Sequence, residues 1–381
     1  MRTSIRLSFG ALALAGLTTG LTACGGSQAP ADQGGAAEPG KITVAASDTE
    51  CKVATTEVAA GTSTFTITNG GSKVTEFYVY APGDRVMAEV ENIVPGLTRE
   101  LVAELPAGTY EAVCKPGMVG KGIRNPLKVT GEHKPLSADA KLSEAVAGYK
   151  RYVKTQSDTL LVKTQEFVDA VKAGDIAKAK ELYPVSRTYW ERIEPVAEIF
   201  GDLDPAIDAR EADLAAGEEW TGFHRIEKDL WVGKDISKDG PVADKLIADV
   251  KTIVQKANAT ELTPLQLANG AKGLLDEVAS GKITGEEDIW SHTDLWDFDA
   301  NLEGSKAAVQ SLRPVLEERS PELVKTLDEK FAAAEAALET HRKGDGWRLH
   351  NELSKAELKA LSDAINALAE PISKIAPIVA K

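Results

Sequence analysis

Between Lys41 and Gly131 apolar and polar residues alternate in short runs: KITVAAS, STFTITN, TEFYVYA, LTRELVAEL, GTYEAVC and NPLKV. Turn formers divide the runs at Asn69-Gly70-Gly71, Pro82-Gly83, Pro95-Gly96 and Pro106-Ala107-Gly108. A period of two sends successive side chains to opposite faces, so these runs predict half-buried strands and together a small β-sandwich. From about Ala138 the period lengthens to three and four residues. Residues 142–173, 175–200, 242–257, 265–280, 302–318, 321–341 and 356–379 then read as amphipathic helices. Stops are explicit at Lys172-Ala173-Gly174-Asp175 and Ser280-Gly281, where a C-terminal glycine is followed by a new start. Short connections favour antiparallel neighbours, so the second half is expected to be an up-and-down bundle. The fold class is therefore α+β in separate domains.

The first residues change the picture of where the chain resides. Arg2 and Arg6 precede an apolar run from Leu7 to Leu21, too short to span a bilayer but of the length of a secretory signal. Leu21-Thr22-Ala23-Cys24 resembles a bacterial lipobox, in which Cys24 becomes the lipidated first residue after cleavage. The Gly/Ala/Pro-rich stretch that follows buries nothing and reads as a flexible tether. The expected organisation is a lipoprotein signal peptide at 1–23, a tether at 24–40, a β domain at 41–131, a linker at 132–140 and a helical domain at 141–381. The protein is thus expected outside the cytoplasm, held to the membrane by its N-terminal lipid. The linker should let the two domains reorient. A formal charge of -14 argues against a nucleic-acid partner and suits cations.

Candidate chemistry begins at Gly222-Phe223-His224-Arg225-Ile226-Glu227-Lys228. Residues three apart share a helix face, so His224 and Glu227 can approach one metal ion together. An isolated pair of this kind is more commonly a simple His-Glu hydrogen bond. Glu191 and Glu194 have the same spacing on a helix that Pro195 should kink. Asp208 and Glu287 stand out as two further acids. Brought together, these groups would form an oxygen-rich site with one or two nitrogens, suited to hard or borderline ions. A second pair, His292 and Asp294, hints at a duplication. A zinc peptidase would need a second helical histidine, and Lys228 stands where it would have to be. No nucleophile elbow or phosphate loop is present either.

Cys51 and Cys114 lie far apart in the sequence of the β domain. In an exported protein the default is a disulfide. The alternative is a metal site of Cys51, Glu76, Glu91 and Cys114, with Met118 nearby. A blue-copper site needs two histidines, and only His133, past the last strand, is close in sequence.

Together these residues resemble the EfeO-type, imelysin-like iron-uptake lipoproteins. The specific stretches are Ala173-Gly174-Asp175-Ile176, residues 191–198, Ile207-Asp208-Ala209-Arg210-Glu211, the segment around His224, Gly285-Glu286-Glu287-Asp288 and Ser291-His292-Thr293-Asp294-Leu295-Trp296-Asp297-Phe298. The resemblance implies a cupredoxin-like β-sandwich ahead of an all-α imelysin-like bundle, and a non-enzymatic iron carrier serving a membrane permease alongside a haem peroxidase. It implies metal ligands at Glu191, Glu194, Asp208 and Glu287 near His224 and Glu227, and a second site at Cys51, Glu76, Glu91 and Cys114. Iron is the expected ion, with copper or zinc as alternatives. The rival reading is an imelysin-like metallopeptidase using His224 and Glu227.

Overall fold

The computed structural model describes residues 40–381, except 202 and 215. The signal peptide, Cys24 and nearly all of the tether lie outside the described residues. Residues 38–381 form one compact unit, so the sandwich and the helices can be treated together.

Nine strands build two sheets: β1 (Lys41–Ala46), β2 (Cys51–Val53), β3 (Glu57–Ala59), β4 (Gly61–Asn69), β5 (Thr75–Ala81), β6 (Arg85–Ile93), β7 (Thr98–Leu105), β8 (Gly108–Pro116) and β9 (Ile123–Thr130). One sheet has the order β2-β1-β4-β7 and the other β3-β9-β8-β5-β6. Pairing is antiparallel except for β1 with β4 and β3 with β9. The alternation expected from sequence is realised: Ile42, Val44, Phe65 and Ile67 point into the core against Phe77, Val79, Ala112 and Leu127 of the opposing sheet. The short strands β2 and β3 and the longer β6 were not among the six predicted runs. β6 turns Ala88 and Val90 inward and carries Glu89 and Glu91 on its other face.

Cys51 on β2 and Cys114 on β8 are joined by a disulfide with a Cα–Cα distance of 5.6 Å, which staples one sheet to the other. The disulfide is the default expected from the sequence, and it corrects the alternative metal site implied by the resemblance: a disulfide sulfur offers no thiolate, so Cys51 and Cys114 are structural and leave the ligand set.

The helices are α1 (Ala140–Lys172), α2 (Ile176–Glu191), α3 (Glu194–Ala197), α4 (Leu203–Asp208), α5 (Phe223–Lys228), α6 (Gly240–Ala259), α7 (Pro264–Ser280), α8 (Asp294–Arg319), α9 (Pro321–Glu339), α10 (Lys355–Ile372) and α11 (Ile375–Val379). Three departures from the sequence reading matter. The helix expected at 175–200 stops at Glu191 and restarts at Glu194 with Pro195 in its first turn, because proline has no N–H to give and suits a helix start. The helix expected from 302 begins eight residues earlier, at Asp294. The last helix breaks after Pro371. The break between α2 and α3 is tightly packed: a Cβ on Gly304 of α8 would lie 2.8 Å from the Arg192 carbonyl, and one on Gly270 of α7 would lie 2.5 Å from Pro195.

The sandwich does not hang free on its linker. β6 and β7 pack on α7, and β6 also on the turn Glu198–Phe200. Asn269 donates to the Val102 carbonyl (2.9 Å) and Arg85 to that of Glu261 (3.3 Å). The linker is itself tied down, since the Leu136 amide donates to Glu104 (2.8 Å) and His133 lies 3.4 Å from the same carboxylate.

Replacing both Cys51 and Cys114 by alanine should lower the unfolding free energy by roughly 2–4 kcal/mol, the usual cost of opening a long cross-linked loop. Denaturant titration of the variant against the oxidised wild type measures this, and identical midpoints would refute a stapling role.

Candidate metal centre

Local structure aims four segments at one point. On α2, Tyr183, Arg187 and Glu191 recur every fourth residue and so share a face, and all three are fully buried. Segment 220–222 docks on the end of α4: Trp220 Nε1 donates to the Ala209 carbonyl (2.8 Å) and Thr221 Oγ1 to that of Ala206 (2.7 Å). Gly222 has φ 88°, and a Cβ there would fall 2.1 Å from the Ile207 carbonyl, so only glycine lets α5 start this close to Asp208. The turn after α7 supplies Lys282, Glu287 and Asp288, and the first turns of α8 supply Asp294, Asp297 and Asn301.

His224 and Glu227 do share a face. His224 Nδ1 lies 3.1 Å from Glu227 Oε2, while Glu227 Oε1 accepts from the amides of Trp290 (3.1 Å) and Ser291 (2.7 Å). Glu227 is therefore committed on both oxygens and acts to orient the imidazole. That leaves His224 Nε2, which is buried and makes no hydrogen bond. It faces Asp208 at 3.5 Å and Glu287 at 3.4 Å. A carboxylate on one imidazole nitrogen with the other nitrogen free and facing acids is the arrangement of a histidine prepared for a metal. Asp208, His224 and Glu287 each offer a ligand atom within 4.8 Å of the others, as do Glu191, Glu194 and Asp208. One imidazole nitrogen among carboxylate oxygens is a donor set that suits a hard or borderline metal ion.

Glu191 and Glu194 meet by a different route from the one predicted. They are not neighbours on one helix face; the break puts one at the end of α2 and the other at the start of α3. Asn301 Nδ2 spans them, donating to Glu191 Oε2 (3.0 Å) and Glu194 Oε2 (3.2 Å).

Two buried cations that sequence reasoning did not single out hold this cluster together. Arg187 has no exposed surface. It pairs with Glu191, Asp208, Glu287 (3.0 Å), Asp297 (3.3 Å) and Asp288 (3.6 Å). Lys282 reaches Glu191 (2.7 Å), Glu194 (3.1 Å) and Glu277 (3.3 Å). The four-residue spacing that puts Arg187 on one face of α2 with Ala179, Tyr183 and Glu191 was the signal available for it.

Burial and charge pull the acids apart. Burial opposes ionisation of Glu191 and Glu287, but Lys282 with Arg187 in the first case, and Lys282 with His224 and Arg210 in the second, hold both below the ordinary carboxylate range. Glu194 is pushed well up by burial and by the charges of Glu191 and Glu277. For His224, burial and Arg187 oppose protonation, yet the Glu227 hydrogen bond, Glu287 and the Asp208 charge win, raising its pKa to about 10.

Glu76 and Glu91 do not form a separate centre with the cysteines. Tyr78 Oη bridges them at 3.1 and 2.8 Å, and both line a cavity of about 230 Å³ between sandwich and helices. The same cavity is lined by Glu194, Glu198, Asp208, Glu277, Lys282, Glu287 and Met118. The two predicted sites thus open onto one space. His292, by contrast, is not among the groups gathered around His224. Its backbone carbonyl accepts from the His350 amide (2.8 Å), while its supposed partner Asp294 accepts from the Asp288 amide (3.2 Å).

Residues 145–375 match the family described as imelysin, and residues 13–123 match the cupredoxin-like domain. Over 349 residues the sequence is 39% identical to the iron uptake system component EfeO of Escherichia coli O157:H7, spanning 89% of this chain and 92% of that protein. The EfeO proteins of Escherichia coli K12 and Shigella flexneri match with the same identity and coverage.

A His224 pKa raised above the unfolded value of about 6.5 stabilises the fold fully below that pH and ceases to as pH rises through about 10. Metal-free wild type should therefore lose on the order of a few kcal/mol between pH 6.5 and 10 that His224→Gln does not lose. Chemical denaturation of both proteins across that window decides it, parallel profiles being the contrary result.

Proposed function

The chain belongs to the imelysin family, among the two-part iron uptake components named EfeO, and from that membership we propose that it captures iron outside the cytoplasm and delivers it to a membrane permease. The observation that carries the reading is His224 Nε2: a buried nitrogen without a hydrogen-bond partner, oriented by Glu227 and facing Asp208 and Glu287. In this reading His224, Asp208 and Glu287 form one part of the ligand set and Glu191 and Glu194 the other. Glu76 and Glu91 line the approach from the sandwich side. One imidazole among carboxylates suits Fe(II) or Fe(III), tolerates zinc, and is a poor match for copper(I), which prefers sulfur. Met118 adds a thioether to the cavity wall, where copper could make contact.

Delivery would be reversible, with a haem peroxidase of the same system supplying any oxidation and the lipid on Cys24 keeping the protein at the membrane surface. Among the described residues no helix is long and apolar enough to cross a bilayer.

The peptidase alternative asks Glu227 to act as a general base. Its two oxygens are engaged by two backbone amides and the imidazole, and against burial these contacts hold its carboxyl below the ordinary range, which makes it a weak base toward a substrate water. Incubation with zinc and an unstructured protein should give no cleavage; metal-dependent cleavage lost in Glu227→Ala would establish the enzyme instead.

Iron titration with elemental analysis tests the carrier directly. His224→Ala and Glu194→Ala should each weaken iron binding by at least ~10-fold, while the Cys51→Ala, Cys114→Ala double variant should keep wild-type stoichiometry. Undiminished binding in both of the first two variants would overturn the assignment.

A further inference from the structure

Lys282 occupies a position that a structural salt bridge alone does not require. Its ammonium lies 2.7 Å from Glu191 Oε2 and 3.1 Å from Glu194 Oε2, the two carboxylates that with Asp208 offer converging ligand atoms. A metal bonded to those oxygens at the ~2 Å typical of carboxylate ligation would share its space with the ammonium. Two cations cannot hold the same pair of oxygens at once.

We propose that Lys282 is a tethered counter-cation: it stands between Glu191 and Glu194 in the metal's place, and loading requires its ammonium to swing aside. This rests on the metal-binding reading above and adds the element that would make binding reversible.

Three observations support a side chain that moves on a backbone that does not. The turn bearing Lys282 is pinned, because the Ile283 carbonyl lies 3.0 Å from His350 Nε2 and Gly285, at φ 80°, packs so closely that a Cβ would fall 2.6 Å from the His350 ring. The side chain itself lines the 230 Å³ cavity, so it has room on one side. A third carboxylate already waits there, Glu277 at 3.3 Å, so the displaced ammonium keeps a partner. Arg187 offers the contrast: it has no exposed surface, is not among the residues lining that cavity, and its planar fork is fixed by acids from four segments. A lysine's flexible stem and compact charge suit a displaceable role that an arginine's do not.

The consequence is a site kept charge-balanced and assembled before metal arrives, at the cost of affinity. Removing the competitor should therefore tighten binding, which is opposite to the effect of losing a merely structural residue. Lys282→Gln and Lys282→Met, titrated with Mn(II) alone and with Fe(II) under anaerobic conditions, should bind about tenfold more tightly or better than wild type and release the metal more slowly. Lys282→Arg should not show this gain. Equal or weaker binding by folded Lys282→Gln overturns the proposal while leaving the carrier reading intact; absence of binding by wild type as well would fall on that reading instead. If neither neutral variant folds, a structure of metal-loaded wild type decides. Lys282 Nζ withdrawn from both Glu191 and Glu194 supports displacement, and Nζ still within hydrogen-bonding distance of both refutes it.

Discussion

Arg187 cannot shed its proton and has no contact with water, so its charge must be met in place by carboxylates. Those come from the end of its own helix, from α4, from the turn after α7 and from α8. Together they run from Glu191 to Asp297 along the chain, and the guanidinium is the object they have in common. The same requirement runs in reverse. Glu191 and Glu287 are held below the ordinary carboxylate range, against their burial, by the cations around them, whereas burial leaves Asp208 and Asp297 raised even beside Arg187. Removing either side leaves an uncompensated charge in a medium that solvates it poorly, which costs far more than an exposed ion pair contributes. The cluster is therefore an all-or-nothing unit, and the break after Glu191, the glycine at 222 and the early start of α8 are all arrangements that let it close.

Compensation is not complete, and that is where function enters. His224 contributes a further positive charge through its raised pKa, but its Nε2 lies a little too far from Asp208 and Glu287 for a good hydrogen bond. Glu194 is pushed toward its neutral form by Glu191 and Glu277. A set of carboxylates with more acid than its cations can balance, together with a nitrogen held ready, is an environment in which a metal ion supplies what is missing. Binding would displace protons, so affinity and pH are coupled in such a site.

The sandwich shares this logic. Its β6 strand has a conventional apolar face toward its own core and an acidic face, Glu89 and Glu91, toward α7 and the turn at Glu198. Burial pushes Glu91 well up and Glu89 up to about 7, so the junction between sandwich and helices is itself built from acids that share protons. With the disulfide at Cys51 and Cys114 buried between the sheets, the chemistry of this part sits on its outer face, against the helices, and the cavity there connects what the sequence presents as two sites.

The sandwich was legible because its buried positions are apolar and alternate, and most helices because theirs recur every three or four residues. The same rule hid the centre. The first turns of α8 bury Asp294, Asp297 and Asn301, so a reading that follows apolar residues begins the helix at 302 and passes over Arg187 and Lys282. His224 and Glu227 were visible as a pair because three-residue spacing is a local property; that Glu227 orients and His224 would ligate depends on the amides of Trp290 and Ser291, which are distant in sequence. Sequence by itself determined the order of the two domains, six of the nine strands of the sandwich, most of the long helices, and the residue types available for metal. Only the tertiary structure decided that Cys51 and Cys114 bond to each other, that Glu76 and Glu91 face the helical acids, and that Arg187 and Lys282 lie among them. A buried charge is specified by partners that folding brings together from several segments, and the spacing along any one of them does not name the partners on the others.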